Sequence, residues 1–577
     1  MRARSPSTST SGTATRTATP WRARSTRCWA RSARRTPRRR GGADAMNAWN
    51  VFDAHAIVGR HLLLKAGGLH TPDDLLGEMD HVGIAEALVL DALARENHPD
   101  EGNRRILRAV RARPRLHPAW ALLPPGADDE QPAPRALLAA LRRKRVGAVW
   151  LLPAQYRYDL SAWCLDELLG PLAEARVPVF VCYDEVARGA PRQDQTDWPA
   201  VVELCRRFPE LPVVVSEWRI RRSQRLIYRA LEACPNLRLE TSGYFLNRGI
   251  EYVTRRWGAA RLLFGSNWPV FGHGQTLATL LRSEISDADK RLVAGGNLRG
   301  LLRWCGVRHP AVRLRSPADA FVAIGRGAPV PRRERFWDCH GHIGGKACHY
   351  HLPDADLRST VAEMDRQGVE KVCLFSIAGV FSDEVHGNDL VAQAVREYPD
   401  RFVGFTLLNP HRGAEAMRRE LERGARRGLR GIKLIPTYQG YPTEGPGIEV
   451  ACQWAHERKQ IVLNHDWGSL AQIERLTARY PEACFVTGHT AKNLFPAVRR
   501  RTNLFVCSCP LWDGPRDCEE VVAAIGAEKL LFGSDLQDLP IAWGLGPILF
   551  ARIPAEAKRL ILGGNLRRIL RRWSLRP

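Results

Sequence analysis

The chain has no CxxC pair. Its fourteen cysteines are scattered, the closest being Cys507 and Cys509. In a chain of this size without a secretory signal, that pattern reads as reduced, mostly buried thiols in a cytosolic protein. No uninterrupted apolar run reaches the ~18 residues of a membrane span, so no membrane partner is expected. Lysine is scarce, at ten of 86 basic residues. Such an arginine bias reads as a GC-rich coding sequence rather than RNA binding, and no basic-aromatic nucleic-acid motif accompanies it.

What remains is ordinary globular material. A 45% hydrophobic and 25% charged composition excludes a mainly disordered chain, and 577 residues call for two large domains or more. The net charge of +25 is unevenly placed. Residues 1–45 hold twelve Arg, no Lys and one acid, Asp44. This Ser/Thr/Ala/Arg/Pro tail cannot bury enough surface to offset its ordering entropy and is expected to be disordered. It is acid-poor like a transit peptide, and its RRTPRRR run loosely resembles a twin-Arg signal, but no apolar segment follows. Met46 opens directly onto the first folded strand, so the tail reads as a start codon placed too early.

The sequence repeats itself. Phe52-Asp-Ala-His-Ala-Ile-Val-Gly59 returns as Trp337-Asp-Cys-His-Gly-His-Ile-Gly344, and Glu78-Met-Asp-x-x-Gly83 as Glu363-Met-Asp-x-x-Gly368, both 285 positions on. Leu262-Leu-Phe-Gly-Ser-Asn267 matches Leu530-Leu-Phe-Gly-Ser-Asp535, and Gly295-Gly-Asn-Leu-Arg299 matches Gly563-Gly-Asn-Leu-Arg567, both offset by 268. The chain is therefore read as a tandem duplication, with copies over 46–308 and 332–577 and an Arg/Pro/Ala/Gly linker over 309–331.

Each copy alternates short apolar runs with helical patterns. In the second, strands are expected at Phe336–His340, Val372–Ser376, Phe402–Leu408, Gly431–Ile435, Ile461–His465, Cys484–His489, Leu504–Cys509 and Lys529–Asp535. An amphipathic helix over Asp356–Gln367 is expected to stop at Gly368. Eight such units, apolar throughout as two-sided burial demands, predict an α/β fold of two tandem TIM-type (β/α)8 barrels.

Active sites of such barrels lie at the C-terminal strand ends, so the residues closing each run matter most. In the second copy these are His340 and His342, both projecting to one side by strand alternation, then Lys433, His465, His489 and Asp535. Each alone has a plain structural reading, but histidine is rare here, at 17 in 577, and yet closes three of the eight strands. Imidazoles plus one carboxylate suit a borderline cation such as Zn²⁺ with a position left open for water.

These motifs resemble the amidohydrolase superfamily, and within it the amidohydrolase-related family that also holds aminocarboxymuconate-semialdehyde decarboxylase and related aromatic-acid decarboxylases. The resemblance rests on Asp338-Cys-His340-Gly-His342-Ile-Gly344, Gly431-Ile-Lys433-Leu-Ile-Pro436, Asn464-His465, Gly488-His489, Leu531-Phe-Gly-Ser-Asp535 and Gly563-Gly-Asn565, spanning residues 335–570. It implies a divalent metal, usually zinc, on His340, His342, His465 and Asp535, with His489 in an acid/base or substrate-polarising role. Lys433 stands where some members carry a carbamylated lysine bridging two metals, so a second metal is the less favoured expectation. Ile435 departs from the pattern, which often has histidine there. Asp535 is the natural proton acceptor. Tyr438, Gln439 and Tyr441, Trp467, Trp512, and the loop pair His349 and His351 are candidate substrate-facing groups.

In the first copy His55 matches His340, but Ile57 faces His342, Trp150 faces Lys433, Tyr183 faces His465, Glu217 faces His489 and Asn267 faces Asp535. A barrel without a metal is expected, either buttressing the active one as an intramolecular pseudo-dimer and lending it an Arg, or binding a partner of its own. The chain as a whole reads as a metal-dependent hydrolase of a small molecule, with the residual positive charge biasing the pocket toward anionic substrates. A non-oxidative decarboxylase is the alternative on the same scaffold, and a non-catalytic scaffold the alternative outside it.

Overall fold

The computed structural model describes residues 49–573 except 127–129, 188–189, 193–195, 346–350, 510 and 512. The N-terminal tail, His349 and Trp512 lie outside the described residues. The first barrel is built from β1 (Val51–Val58), β2 (Ile84–Asp91), β3 (Leu116–Leu122), β4 (Ala148–Leu151), β5 (Val179–Val181), β8 (Val213–Val215), β9 (Leu237–Glu240) and β10 (Leu262–Leu263). A small antiparallel hairpin, β6 (Glu185–Ala187) and β7 (Ala190–Arg192), is inserted after β5. The second barrel runs β11 (Phe336–Ile343), β12 (Val369–Ser376), β13 (Phe402–Leu407), β14 (Gly431–Leu434), β15 (Ile461–Asn464), β16 (Cys484–Thr487), β17 (Leu504–Cys507) and β18 (Leu530–Leu531).

In both sheets the strands pair in chain order. The last strand returns to the first: Ala54 N–H donates to the Phe264 carbonyl and Cys339 N–H to the Phe532 carbonyl, each at 2.8 Å. This return explains why β18 is shorter than Lys529–Asp535, since from Phe532 the backbone pairs with β11 instead of continuing β18. The same closure carries a side-chain staple in both copies. Buried Asp53 accepts from the backbone of His55 and from Ser266, as Asp338 does from His340 and Ser534. A carboxylate so satisfied locks the strand that bears the histidines to the loop that bears residue 267 or 535.

The repeated Glu-Met-Asp-x-x-Gly motif lies on equivalent helices, Pro72–Val82 and Leu357–Gln367. Its Met79 and Met364 are fully buried, and its glycines end the helices in the left-handed region (φ 94 at Gly83, φ 78 at Gly368). Its glutamates face the opposite barrel. Arg248 binds Glu363 and Arg516 binds Glu78, each at 3.2 Å. Both residues of the first pair have their repeat equivalents in the second, so the two barrels meet as an isologous dimer does, across an approximate two-fold axis inside one chain. At the centre of the interface, helix His273–Leu281 packs on helix Ile541–Phe550 so closely that a Cβ on Gly546 would stand 2.2 Å from the Gly274 carbonyl oxygen. Phe245, Leu539 and Trp543 form a buried cluster across the same junction.

The stretch read as a linker has structure of its own. Residues Ala320–Gly325 form a helix whose Phe321, Val322 and Ile324 are buried, and Asp319 pairs with the buried Lys558 at 2.8 Å. Arg326, just beyond it, donates to the carbonyls of Val82 and His81 in the first barrel. The twelve described cysteines are free, and no described helix is long and apolar enough to cross a membrane.

Candidate active site

At the C-terminal mouth of the second barrel, His340, His342 and Asp535 converge, with one donor atom of each within 4.8 Å of the others. Asp535 Oδ1 lies 2.7 Å from His342 Nε2 and 3.5 Å from His340 Nε2. Asp535 reaches this point because its backbone turns into the left-handed region (φ 62) while its N–H donates to the His340 carbonyl. Asparagine and aspartate tolerate that conformation best, and Asn267 holds it (φ 55) in the first barrel. His465 stands across the mouth from this trio, its Nε2 2.6 Å from His489 Nε2.

The hydrogen bonds fix the tautomers. His489 Nδ1 faces the Cys509 carbonyl at 2.7 Å and must donate there, leaving Nε2 as a lone pair. His465 then donates from Nε2 to His489, while its Nδ1 accepts from the Thr437 hydroxyl at 3.0 Å. If that shared proton moves to His465 Nδ1, with Thr437 then accepting, both Nε2 atoms are left as lone pairs on neutral rings. Burial, reinforced by the Lys433 charge, lowers His340 to about 4. Burial and the neighbouring His489 lower His465 to about 2. Burial also pushes Asp535 upward, but the His342 hydrogen bond and the surrounding imidazoles outweigh it and hold the carboxyl well below its usual range. Neutral His340 and His465 beside an ionised carboxylate are in the protonation states that a divalent cation requires of its ligands. The donor set present therefore fits such an ion.

Lys433 lies deeper, fully buried inside the barrel with its Nζ 4.4 Å from the Phe375 ring centroid and no hydrogen-bond partner. Burial lowers it to about 8. The cavity above these groups measures about 420 Å³. Of the described aromatic and polar residues expected on its rim, Tyr438 lines it, edge-on to His465. The others use their polar ends elsewhere. Trp467 donates to the Val486 carbonyl from within the core, Tyr441 accepts from Ile435 N–H, Gln439 donates to the Gly379 carbonyl, and His351 pairs through its backbone with Gln224.

The opposite wall comes from the first barrel. Arg219, Arg221 and Arg222 follow β8 and line the same cavity. Arg221 donates to the Asp538 carbonyl at 3.0 Å and to its carboxylate at 2.9 Å, gripping the loop that carries Asp535. Burial and the charges of Arg222 and Arg221 lower Arg219 to about 10, a sign of cations crowded together. The comparison of copies anticipated an arginine without locating it. The signal was the run Trp218-Arg-Ile-Arg-Arg at a strand end, where the second copy has His489-Thr-Ala-Lys-Asn-Leu494, with a single cation, Lys492, that pairs with Asp513 and Asp517.

The first barrel's own mouth is closed. Trp150, in the register position of Lys433, stacks on Phe180 at 4.8 Å and lies 4.6 Å from His55, and the space above is about 20 Å³. The ladders also correct one pairing. Trp150 neighbours Phe180 as Lys433 neighbours Leu463, and Cys182 N–H donates to Leu151 as His465 N–H does to Leu434. The counterpart of His465 is thus Cys182, not Tyr183, because a slip of one residue along a strand reverses the face. His55 Nδ1 is bonded to Glu240 at 3.0 Å, while the equivalent contact of His340 is Cys507 Sγ at 3.7 Å.

Comparison with curated proteins finds no match. Among solved structures the chain is similar to 5-carboxyvanillate decarboxylase from Sphingomonas paucimobilis (18% identity, 41% of this chain and 99% of that one, TM-score 0.33). It is also similar to 2,6-dihydroxybenzoate decarboxylase from Rhizobium (17%, 41% and 99%, 0.33). A third is 4-oxalomesaconate hydratase from Rhodopseudomonas palustris (17%, 41% and 96%, 0.33). The amidohydrolase family model matches the chain twice, over residues 46–304 and again over 337–572, one match for each barrel. The chain belongs to the amidohydrolase family.

Proposed function

We propose that the second barrel is a metal-dependent hydrolase of a small carboxylate-bearing amide, ester or lactone, and that the first barrel, whose mouth lacks the metal-ligand set, is a partner supplying the anion-binding wall. The observation that carries this reading is one cavity bounded by the His340, His342, Asp535, His465 and His489 set on one side and by Arg219, Arg221 and Arg222 on the other. A divalent cation held by His340, His342, His465 and Asp535, zinc by the chemistry of the donors, supplies Lewis acidity that polarises a carbonyl and brings the pKa of water to ~7. The protein's own groups do the rest. Guanidiniums orient the substrate carboxylate and hold its other end toward the histidines. Asp535 stays ionised to accept a proton, and the neutral His489 Nε2 is placed to hold one for the leaving group.

The arginine wall also favours a second reading, non-oxidative decarboxylation, in which the bound carboxylate is itself the group lost. One experiment separates them: metal analysis paired with a panel of aryl and enoic acids, esters, lactones and amides, scored for CO₂ and for water-dependent cleavage. The proposal expects near-stoichiometric metal that is lost in His340→Ala, and cleavage that falls by at least ~100-fold in Asp535→Asn. Native protein without metal, or CO₂ release alone, overturns it.

A further inference from the structure

A second convergence of metal-ligand side chains lies at the other end of the first barrel, away from either mouth. Glu86 near the start of β2, His117 near the start of β3, and His309 from the segment after the barrel place one donor atom each within 4.8 Å of one another. Glu86 Oε2 is 2.7 Å from His117 Nε2 and 2.7 Å from His309 Nδ1. Glu86 and His117 are buried, whereas the His309 side chain is 29% exposed, so the cluster opens toward solvent on one side. The other carboxylate oxygen, Oε1, is held by Arg299 Nη2 at 2.6 Å and Nε at 3.0 Å, which sets the carboxylate plane and leaves Oε2 alone to face the imidazoles. Phe52 packs against both rings, with centroids 5.1 Å from His117 and 5.8 Å from His309.

The fold does not require this cluster. In the second barrel the ladder registers place Trp337, Lys371 and Val403 at the positions of Phe52, Glu86 and His117. Arg567, the counterpart of Arg299, pairs there with Glu370 and lies over the Trp337 ring. The first copy alone has acquired two histidines aimed at a single carboxylate oxygen.

We infer that Glu86, His117 and His309 form a site for a divalent cation, zinc by its two imidazoles and one carboxylate, with a fourth position open to water. Such a site ties the segment beginning at His309, which leads into the second barrel, to the floor of the first. Two nitrogens and one oxygen with an open position are a common zinc environment, and a carboxylate ligand oriented through its other oxygen is the expected outer-sphere support. On binding, the proton each imidazole directs at Oε2 leaves or shifts to the other ring nitrogen, and the cation takes its place between the three donors.

The test counts ions in the full chain. Protein stripped with a chelator is reloaded with Zn²⁺ or Co²⁺, gel-filtered and analysed in the parent, in His340→Ala/His342→Ala, in His309→Ala and in His309→Gln. The inference expects the double variant to retain one ion per chain and to show a Zn²⁺-dependent rise in melting temperature. Either His309 substitution, each at a partly exposed position on an irregular segment, should remove that ion while leaving the metal of the second barrel in place. Equal metal content in the parent and both His309 variants overturns it. So does a double variant that takes up no Zn²⁺ and does not change its melting temperature, which would leave a latch in which both imidazoles simply donate to Oε2. Because the count in the double variant is independent of turnover, failure here is distinct from failure of the hydrolase reading.

Discussion

Arg221 is the sharpest probe of whether the first barrel is part of the active site. Its guanidinium makes two charge-assisted bonds to Asp538 across the interface, at 3.0 and 2.9 Å, and lies 4.8 Å from the Phe245 ring centroid. Asp538 is three residues from Asp535 in a tight turn where Leu539 N–H donates to the Asp535 carbonyl at 2.9 Å. The Arg221 side chain is 8% exposed and that of Asp538 23%, so the pair is partly dehydrated and exceeds a surface ion pair in strength. A hydrogen bond to a charged group contributes ~1.5–3 kcal/mol, and water can replace part of it at Asp538, so loss of the clamp should cost about 2 kcal/mol. At about 1.4 kcal/mol per decade, that lowers the ordered-to-disordered ratio of the Asp535 turn by roughly 30-fold. Arg221→Ala should therefore weaken metal affinity, measured by competition with a chromophoric chelator, and kcat/KM on whichever substrate the panel identifies, by about that factor, with the far-UV spectrum unchanged. A cycle with Asp538→Asn should give strongly non-additive effects. Additivity within ~0.5 kcal/mol, or an Arg221→Ala protein with unaltered metal affinity, would refute the clamp.

Three further outcomes follow from the same geometry. Residues 332–577 expressed alone should aggregate or lose most activity, because Leu539, Trp543 and the apolar helix Ile541–Phe550 would face water; a soluble, fully active fragment contradicts the buttress. Gly546→Val should destabilise the whole chain by several kcal/mol in thermal or denaturant unfolding, since its side chain would overlap the Gly274 carbonyl, and a loss within ~0.5 kcal/mol would mean that the helices separate easily. In metal-free protein, His340 lowered to about 4 stays neutral while its unfolded counterpart, near 6.5, takes up a proton. Its contribution to stability is thus complete above the unfolded value and is lost as pH falls toward 4, so the parent should lose stability relative to His340→Gln between pH 6.5 and 4, and parallel curves would count against it.

The fold was legible because its determinants are local. Strands buried on both faces are apolar at every position, and the Glu-Met-Asp-x-x-Gly motif writes a helix end directly into the sequence. The strand-end histidines were legible for the same reason. What stayed hidden depends on contacts between distant residues. Nothing near Trp467 shows that its indole reaches the Val486 carbonyl rather than the cavity, and nothing near Arg221 shows that it crosses to Asp538. The pairing of His465 with Tyr183 failed by one residue even though Trp150 to Cys182 and Lys433 to His465 span the same length: the short apolar run does not mark which residue closes the strand, and the ladder bonds of Cys182 restore the register.

Fusion explains why two copies of one barrel can diverge in opposite directions. In a symmetric dimer each subunit must both hold the reacting groups and wall its neighbour's cavity, so no substitution can favour one role without affecting the other. Joined in one chain, each copy is released from half of that constraint. At the Lys433 position the first copy places Trp150, which fills its own mouth. At the His340-contacting position of Cys507 it places Glu240, which occupies His55. The loop after its β8 carries three arginines on the wall of the opposite cavity, one of them clamped to Asp538. The second copy has Ala491, Asn493 and Leu494 at the positions of Arg219, Arg221 and Arg222, where a basic wall would serve nothing. On this account the division predicts asymmetry in the assay: substitutions at Arg219 and Arg222 should raise KM for a carboxylate substrate more than they lower kcat, whereas their counterparts Ala491 and Leu494 should accept Arg with no gain in binding. A uniform fall in kcat across all of these variants would mean that the arginines serve folding rather than recognition.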